Sequence, residues 1–467
     1  MANNLWILTE ERPKKEVLRA IFEIFAREYR CAFSVDTLKI IPILNAAGQF
    51  QFTYRVEGYT CDKADNVYLK IISGSSSFTD FLIFYQEQVP AHTDKPIFAI
   101  EETKTDDSES RNTGVYQRCS KFVYIRKFYA DIKMIMLYNL QVAQKHTPTQ
   151  TNIFGTKLLR TLGVEIHGKT GYDSSIFAPF QSIDEIIEHK SAMRRAPRGN
   201  VPITIRRSGS SKIEVSGRLY KNGSLSHDPN IGALSIICAV LRHLGWKGEI
   251  EITAHGLSQG HLSSGNKFIR IAEMLDISFQ GLIRPAAAAT DTYWHYDLKG
   301  EKLATIFMHI AVENFTDGRS IFENHAGCEK GYFITSHGQH IALEKYNDRA
   351  AYKAGNKDQI INIPDLILID CNRCEIIDIE GKKHMRRHHG IEELAGYDCI
   401  EAKYISKHYP DFDITRTVIV YGSTNKHIVE PQIGFMLNKH GDMILGKYAP
   451  EIFRDAITRL LDFWSNN

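Results

Sequence analysis

The sequence predicts a mixed α/β fold, because short strand-like segments alternate with longer helical patterns along the whole chain. Of its 467 residues, 43% are hydrophobic and 24% are charged, which is the composition of an ordinary globular protein. At roughly 150 residues per domain, this length predicts about three domains. The composition excludes collagen-like and disordered classes, and no stretch approaches the roughly 18 uncharged apolar residues of a membrane span.

The first expected domain, residues 1–175, opens with a helix and continues as a series of strands. Apolar residues recur at helical spacing between Pro13 and Tyr29. Strand-like runs follow at residues 38–44, 50–56, 66–72, 80–85 and 96–102, and helical patterns follow at 115–128 and 131–143. Strands flanked by helices predict an N-terminal α/β domain.

The middle region, residues 176–338, contains the most basic segment of the chain. Seven basic residues and one acid, Glu214, lie between Arg194 and Arg218. Such a run is typical of a solvated linker or of a surface that contacts a polyanion. An apolar pattern at Gly232 to Leu244 predicts a buried helix after this segment.

The last region, residues 339–467, is expected to be a third α/β domain. A helical pattern at 342–353 precedes two apolar strands at 361–370 and 375–380, which a four-residue turn would join as a hairpin. A further strand is expected at 418–421 and an amphipathic closing helix at 451–464.

The predicted hairpin carries a group of charged residues with a chemical meaning. Glu380 and Lys382 alternate onto one face of their strand, and pairing of the two arms brings Asp365 within reach. Converging carboxylates repel each other and are held together by a divalent cation such as magnesium, which prefers oxygen ligands. A neighbouring lysine offsets the charge that builds up on a phosphate. Asp378, Asp370 and, on the preceding helix, Glu344 are alternative acids, and an ordinary surface hairpin is the alternative interpretation.

A similar group lies in the N-terminal region. An acid, Asp80, opens the apolar strand 80–85, and a second apolar strand ends in Glu102 and Lys104, which share one strand face. Glu102 is preferred to Glu101, which a regular strand directs to the opposite face. This group lacks a proline before its first acid, and its acids are 22 positions apart, against 15 in the C-terminal group. A purely structural repeat is the alternative.

The segment Pro364-Asp365 followed by Glu380-Gly381-Lys382 resembles the PD-(D/E)xK motif of type II restriction endonucleases. The resemblance implies a central mixed sheet flanked by helices, with two such cores if the N-terminal group is a second copy. It implies cleavage of double-stranded DNA with Mg²⁺, held by Asp365 and Glu380 and, in a second centre, by Asp80 and Glu102. Lys382 and Lys104 would lie beside the attacking water. It also implies a companion DNA methyltransferase.

The resemblance makes the basic segments candidate DNA contacts, because specificity requires side chains that reach base edges beyond the nuclease core. The expected DNA-binding residues are Arg206, Arg207 and Arg218 in the middle region and Lys383, Arg386 and Arg387 after the motif. The chain would act as a monomer if it has two centres and as a homodimer if it has one. A structure-directed repair nuclease and a non-catalytic DNA-binding protein are the alternative functions.

Other chemistries find little support in the sequence. Eight scattered cysteines, with the only close pair at Cys371 and Cys374, predict reduced thiols and neither a disulfide scaffold nor a zinc site. The histidines show no HExxH spacing, and no phosphate-binding glycine loop is present. The N-terminus lacks the pattern of a secretory signal, so a cytoplasmic location is expected.

Overall fold

A computed structural model describes residues 3–466 except 75–77, 104–113, 139–147, 169–171, 194–202, 218–219, 222–223, 226–228, 255–266, 280–291, 298–299, 325–331, 344–360 and 425. The chain divides into two compact units. The first joins residues 1–73 to residues 296–467, and the second is continuous from 74 to 295. Within the described ranges, none of the helices has the length and apolar character needed to span a bilayer.

The N-terminal part of the first unit is a helix packed on four strands. The elements are β1 (Asn4–Thr9), α1 (Lys15–Tyr29), β2 (Phe33–Leu44), β3 (Phe50–Cys61) and β4 (Val67–Gly74). The strand order is β2-β3-β4-β1, antiparallel except for the parallel pair of β1 and β4. The buried face of α1 carries Val17, Leu18, Ile21, Ile24 and Phe25, so the sequence pattern of this helix is confirmed.

The second unit begins with a hairpin that continues into parallel strands. Its elements are β5 (Phe81–Gln86), β6 (Phe98–Thr103), α2 (Gly114–Ile125), β7 (Lys133–Tyr138), α3 (Gln150–Thr161), β8 (Glu165–His167) and α4 (Ile183–Ala192). β5 and β6 are antiparallel, whereas β6, β7 and β8 run parallel with α2 and α3 as their crossovers.

A second sheet of this unit repeats that topology in the order β14-β13-β10-β9. Its strands are β9 (Thr204–Ser208), β10 (Lys212–Gly217), β13 (Glu249–Ala254) and β14 (Ile277–Phe279). The ribbon of β11 (Tyr220–Lys221) and β12 (Ser224–Leu225) and the strand β15 (Trp294–Tyr296) lie outside this sheet. The crossover helices are α5 (Pro229–His243) and α6 (Lys267–Leu275). β9 and β10 form the hairpin, and β13 and β14 follow in parallel.

The C-terminal part of the first unit contains a six-stranded mixed sheet. The elements of this part of the chain are α7 (Glu301–Phe315), β16 (Arg319–Glu323), β17 (Tyr332–Ile334), β18 (His340–Ala342), β19 (Leu366–Asp370), β20 (Glu375–Lys383), α8 (Arg387–Leu394), β21 (Asp413–Tyr421), β22 (Ile433–Leu437), β23 (Met443–Leu445) and α9 (Glu451–Ser465). The strand order in the six-stranded sheet is β16-β19-β20-β21-β22-β23, and β17 and β18 pair separately. β16, β19 and β20 are antiparallel neighbours, and β21 and β22 continue parallel to β20.

Helices cover this sheet, and α7 is apolar on nearly every side because it is buried within the first unit. Phe307 of α7 stacks on Phe435 of β22 and also contacts Phe50 of β3. Tyr397, Ile400 and Tyr404 belong to the same buried cluster as Val418 and Val420 of β21. Since α8 and these residues connect β20 to β21, the parallel crossover places its helices against the end of the hairpin.

The predicted mixed α/β class is therefore confirmed, and most of the expected elements are present. The helix expected at 131–143 is wrong, since residues 133–138 form β7. Met134, Ile135, Met136 and Leu137 are all buried, as in a strand that is covered on both faces. The helix expected at 342–353 lies mostly outside the described residues. The two compact units divide the chain at other positions than 175 and 338, because the first unit is discontinuous in sequence.

Candidate active site

The β19–β20 hairpin brings Asp365 and Glu380 to its open end. Leu366 pairs with Ile379, so the residues next along each arm, Asp365 and Glu380, come together. The amide of Gly381 donates to Asp365 Oδ2 at 3.0 Å. A Cβ at Gly381 would lie 2.3 Å from Thr305 Oγ1 of α7, so this close approach requires glycine.

Two side chains from the segment that follows the hairpin complete this group. Lys382 Nζ contacts Glu380 Oε1 and lies 2.7 Å from Glu393 Oε2. Tyr397 donates its hydroxyl hydrogen to Glu380 Oε2. Glu380 is 5% exposed and Tyr397 is 1% exposed. We call Asp365, Glu380, Lys382, Glu393 and Tyr397 the C-terminal centre.

Burial and neighbouring carboxylates raise the proton affinity of this centre. Burial raises the pKa of Glu380 to about 8, with further contributions from Asp365 and Glu393 that outweigh Lys382. Burial lowers the pKa of Lys382, but Glu380 and Glu393 raise it by more, so the ammonium keeps its charge. Among the described residues, Glu380 and Glu393 both contact the Lys382 ammonium, and Asp365 lies close enough to raise the pKa of Glu380.

This donor set fits a divalent cation such as magnesium. Asp365 and Glu380 are hard oxygen donors, and a 2+ ion would offset the repulsion between them that, together with burial, raises the pKa of Glu380. The centre thus combines cation-binding acids with a lysine ammonium in a half-buried setting.

The alternative acids of the sequence lie elsewhere. Asp378 shares the strand face of Glu380 but is fully buried, and burial and the adjacent Glu401 raise its pKa well above the usual range. Asp370 stands at the turn end of the hairpin, where it accepts from the amides of Asn372 and Arg373. Glu344 lies outside the described residues.

The β5–β6 hairpin of the second unit places two acids in the same register. Phe81 pairs with Ile100, so Asp80 and Glu101 are the next residues along the two arms. Asp80 donates its amide to Glu101 Oε2 at 3.0 Å, and Glu102 donates its amide to Asp80 Oδ2 at 2.7 Å. The side chain that meets Asp80 is therefore that of Glu101 and not that of Glu102, which the sequence favoured.

The basic partners of these acids come from α2. Lys121 Nζ lies 2.7 Å from Glu101 Oε1 and 3.2 Å from Asp80 Oδ1. Arg118 Nε lies 3.3 Å from Glu101 Oε1. Burial, and to a lesser extent Asp80, raise the pKa of Glu101 to about 7 although Lys121 and Arg118 lower it. We call Asp80, Glu101, Arg118 and Lys121 the N-terminal centre, and Lys104 lies outside the described residues.

The expected DNA-binding residues differ in their surroundings. Arg206 and Arg207 are exposed on β9, where Arg206 pairs in register with Glu214 and Arg207 lies 3.0 Å from Asp184 Oδ1. Arg387 Nε lies 2.6 Å from Glu430 Oε1, and its α8 also carries Glu393. Lys383 is half-buried, Arg386 is exposed, and Arg218 lies outside the described residues.

Sequence reasoning missed Glu393 and Lys121, which follow their hairpins on α8 and α2, and Tyr397, which lies three residues beyond the end of α8. No strand pattern could have paired Glu393 and Tyr397 with Glu380. No protein-family model, curated protein or solved structure matches this chain.

Proposed function

We propose that this chain is a magnesium-dependent endonuclease that cuts double-stranded DNA at a defined sequence, in the manner of a type II restriction enzyme. The observation that carries the proposal is the convergence of Asp365, Glu380 and Lys382 at the open end of one buried hairpin. Two acids and a lysine in this arrangement are what phosphodiester hydrolysis needs: a cation site, an oriented water and a positive charge near the phosphate.

Each side chain has a role that follows from its contacts. Asp365 and Glu380 would hold magnesium, which when bound polarises the phosphate and makes its bound water a stronger nucleophile. The Lys382 ammonium offsets the negative charge that develops on the scissile phosphate. Glu393 orients that ammonium, and Tyr397 orients the carboxylate of Glu380 through its hydroxyl. The amide of Gly381 holds Asp365 in place.

The proposed substrate follows from cations that each unit carries. Arg386 and Lys383 continue directly from the centre, where they can contact the phosphates next to the one being cut. Arg206 and Arg207 project from an exposed strand and are the candidates for base contacts. A sequence-specific nuclease of this kind would act in the cytoplasm beside a companion DNA methyltransferase that protects the host sequence.

The test is to incubate the purified chain with supercoiled plasmid and magnesium and to map the ends. Discrete fragments that disappear in EDTA support the proposal, and robust cutting in EDTA rules it out. Glu380→Gln should abolish linearisation, whereas Glu392→Gln, on the same helix as Glu393 but 77% exposed in its side chain, should cut normally. Unspecific fragments, or cutting only at branched DNA, would indicate a structure-directed nuclease instead.

A further inference from the structure

We propose that Asp80, Glu101 and Lys121 form a second cation-dependent phosphodiester-cleaving centre, in which the ammonium is supplied by a helix and not by the strand. The inference rests on the proposed function, since it assigns one strand of the duplex to each centre. The sequence favoured Glu102 and Lys104, whereas the structure brings Glu101 and Lys121 to Asp80.

The first argument is the register of the two hairpins. Asp365 immediately precedes the Leu366–Ile379 pair on one arm and Glu380 immediately follows it on the other. Asp80 and Glu101 stand in the same positions relative to the pair of Phe81 and Ile100. In both hairpins the amide that follows the glutamate donates to the aspartate, at 3.0 Å and 2.7 Å. The next strand, β21 or β7, then runs parallel to the strand that carries the glutamate.

The second argument is that this topology does not itself require acids. The β9–β10 hairpin is also antiparallel and is also followed by parallel strands. Its open end carries Thr204 and Ile205 on one arm and Val215 and Ser216 on the other. The hairpin topology alone therefore does not account for the two carboxylates of the β5–β6 hairpin, whose charged forms are disfavoured by burial.

The third argument is the position of Lys121. Its ammonium contacts both acids of the N-terminal centre, as the Lys382 ammonium contacts Glu380 and Glu393 in the C-terminal centre. The strand position that corresponds to Lys382 is Thr103, which has no charge. The N-terminal centre therefore has its cation in the right place without a lysine on the strand.

The proposed reaction is hydrolysis of one phosphodiester bond. The oxygen of a water molecule forms a bond to phosphorus, one phosphorus–oxygen ester bond breaks, and the leaving oxygen takes up a proton. The proton lost by the attacking water passes to solvent. Lys121 would offset charge on the phosphate, and Arg118, 3.3 Å from Glu101, would orient that glutamate.

The printed partners of the two glutamates predict how the centres differ. Glu101 contacts two cations, Lys121 and Arg118, whereas Glu380 shares the Lys382 ammonium with a second carboxylate, Glu393. Cations that already contact a carboxylate weaken its attraction for a divalent cation. At limiting magnesium the wild-type chain should therefore nick one strand first, and at higher magnesium it should linearise the plasmid.

Strand-resolved nicking tests the assignment. Glu101→Gln should convert supercoiled plasmid to nicked circles, with the nick on the strand that the C-terminal centre cuts. Glu380→Gln should nick the opposite strand. Glu102→Gln is the matched variant, one residue away on the same strand, and should still cut both strands. Linearisation by Glu101→Gln at the wild-type rate would overturn the proposal.

Manganese binding supplies a readout that does not depend on cutting. In a chain with Asp365→Asn and Glu380→Gln, one Mn²⁺ should still bind, as measured by calorimetry. Adding Glu101→Gln should remove it and adding Glu102→Gln should not, with thermal melting to show that both chains fold. Loss of all Mn²⁺ binding in the first variant overturns the second centre. If the wild-type chain cuts no DNA but the double variant still binds Mn²⁺, the proposed function is wrong and the second metal site is retained.

Discussion

The hairpin that ends at Asp365 and Glu380 and the hairpin that ends at Asp80 and Glu101 have the same strand pairing, but their acids contact different charged side chains. In each, the aspartate accepts the amide that follows the glutamate, and a parallel strand comes next. The first recruits Glu393 from its crossover helix, whereas the second recruits Lys121 and Arg118. The strands thus place the acids, and the crossover helix decides the charge around them.

That difference shows which part of such a centre can vary. The acids must sit where two arms of a hairpin meet, since only the register brings them together. An ammonium carried on a long, flexible side chain can reach the same point from a strand or from a helix. We therefore expect changes at the acids to act alike in both centres, and changes on the helices to act in opposite directions.

Removing the ammonium should have the largest effect. Lys382→Met should lower cutting of one strand by several orders of magnitude, because nothing then offsets the charge on that phosphate. Lys121→Met should do the same to the other strand. Rates of nicking on each strand, measured by primer extension, check this. Unchanged cutting of both strands in Lys121→Met would show that Lys121 has no role in cleavage.

Exchanging charge on the helices should change cation affinity in opposite directions. Arg118→Gln removes a positive charge beside Glu101, so Mn²⁺ affinity of the N-terminal centre should rise by about tenfold. Glu393→Gln removes a negative charge beside Lys382, so affinity of the C-terminal centre should fall by about tenfold. Calorimetric titration measures both, with Glu392→Gln as the control. Equal affinities in all three variants would contradict the role of charge.

The sequence predicted the strands and the hairpins better than the groups that meet on them. The sequence predicted the arms at 361–370 and 375–380, and the structure has them at 366–370 and 375–383. Helical spacing predicted α1 and α9. The segment around Met134 to Leu137 was assigned to a helix, because an apolar run in a strand buried on both faces has no period of two.

Within the N-terminal centre, the choice between Glu101 and Glu102 depends on register. Alternation shows that the two side chains point to opposite faces, but it does not show which face meets Asp80. Only the pairing of Phe81 with Ile100 decides this. Lys121 and Glu393 follow their glutamates by 20 and 13 positions, and their approach depends on how each helix packs on its sheet.

The hydroxyl of Tyr397 should set the pH at which the C-terminal centre becomes active. It donates to Glu380, and a donor to the charged form of a carboxylate lowers its pKa. In Tyr397→Phe, the acidic limb of the pH profile for cutting one strand should move up by about one unit. The other strand's profile should stay in place, since Tyr397 belongs to the first unit only. A uniform loss of rate with no shift would indicate a purely structural role.

The smallest expected effects are on stability, and they should have the same sign and different size in the two centres. In the absence of metal, folding raises the pKa of Glu380 to about 8, so between pH 4.5 and 8 the folded chain binds more protons than the unfolded chain. Its contribution to the free energy of unfolding therefore falls as pH rises through this range. Glu380→Gln removes this loss, and at pH 8 it should stabilise the first unit by about 1 kcal/mol.

Glu101→Gln should act in the same direction and more weakly. Folding raises the pKa of Glu101 only to about 7, because Lys121 and Arg118 contact its fully buried side chain and offset part of the effect of burial. At pH 8 the substitution should therefore stabilise the second unit by less than Glu380→Gln stabilises the first. Urea unfolding of both variants in EDTA, followed at pH 5 and pH 8, measures the difference. If Glu101→Gln destabilises the second unit at pH 8, the ion pairs of Glu101 contribute more to folding than its raised pKa implies.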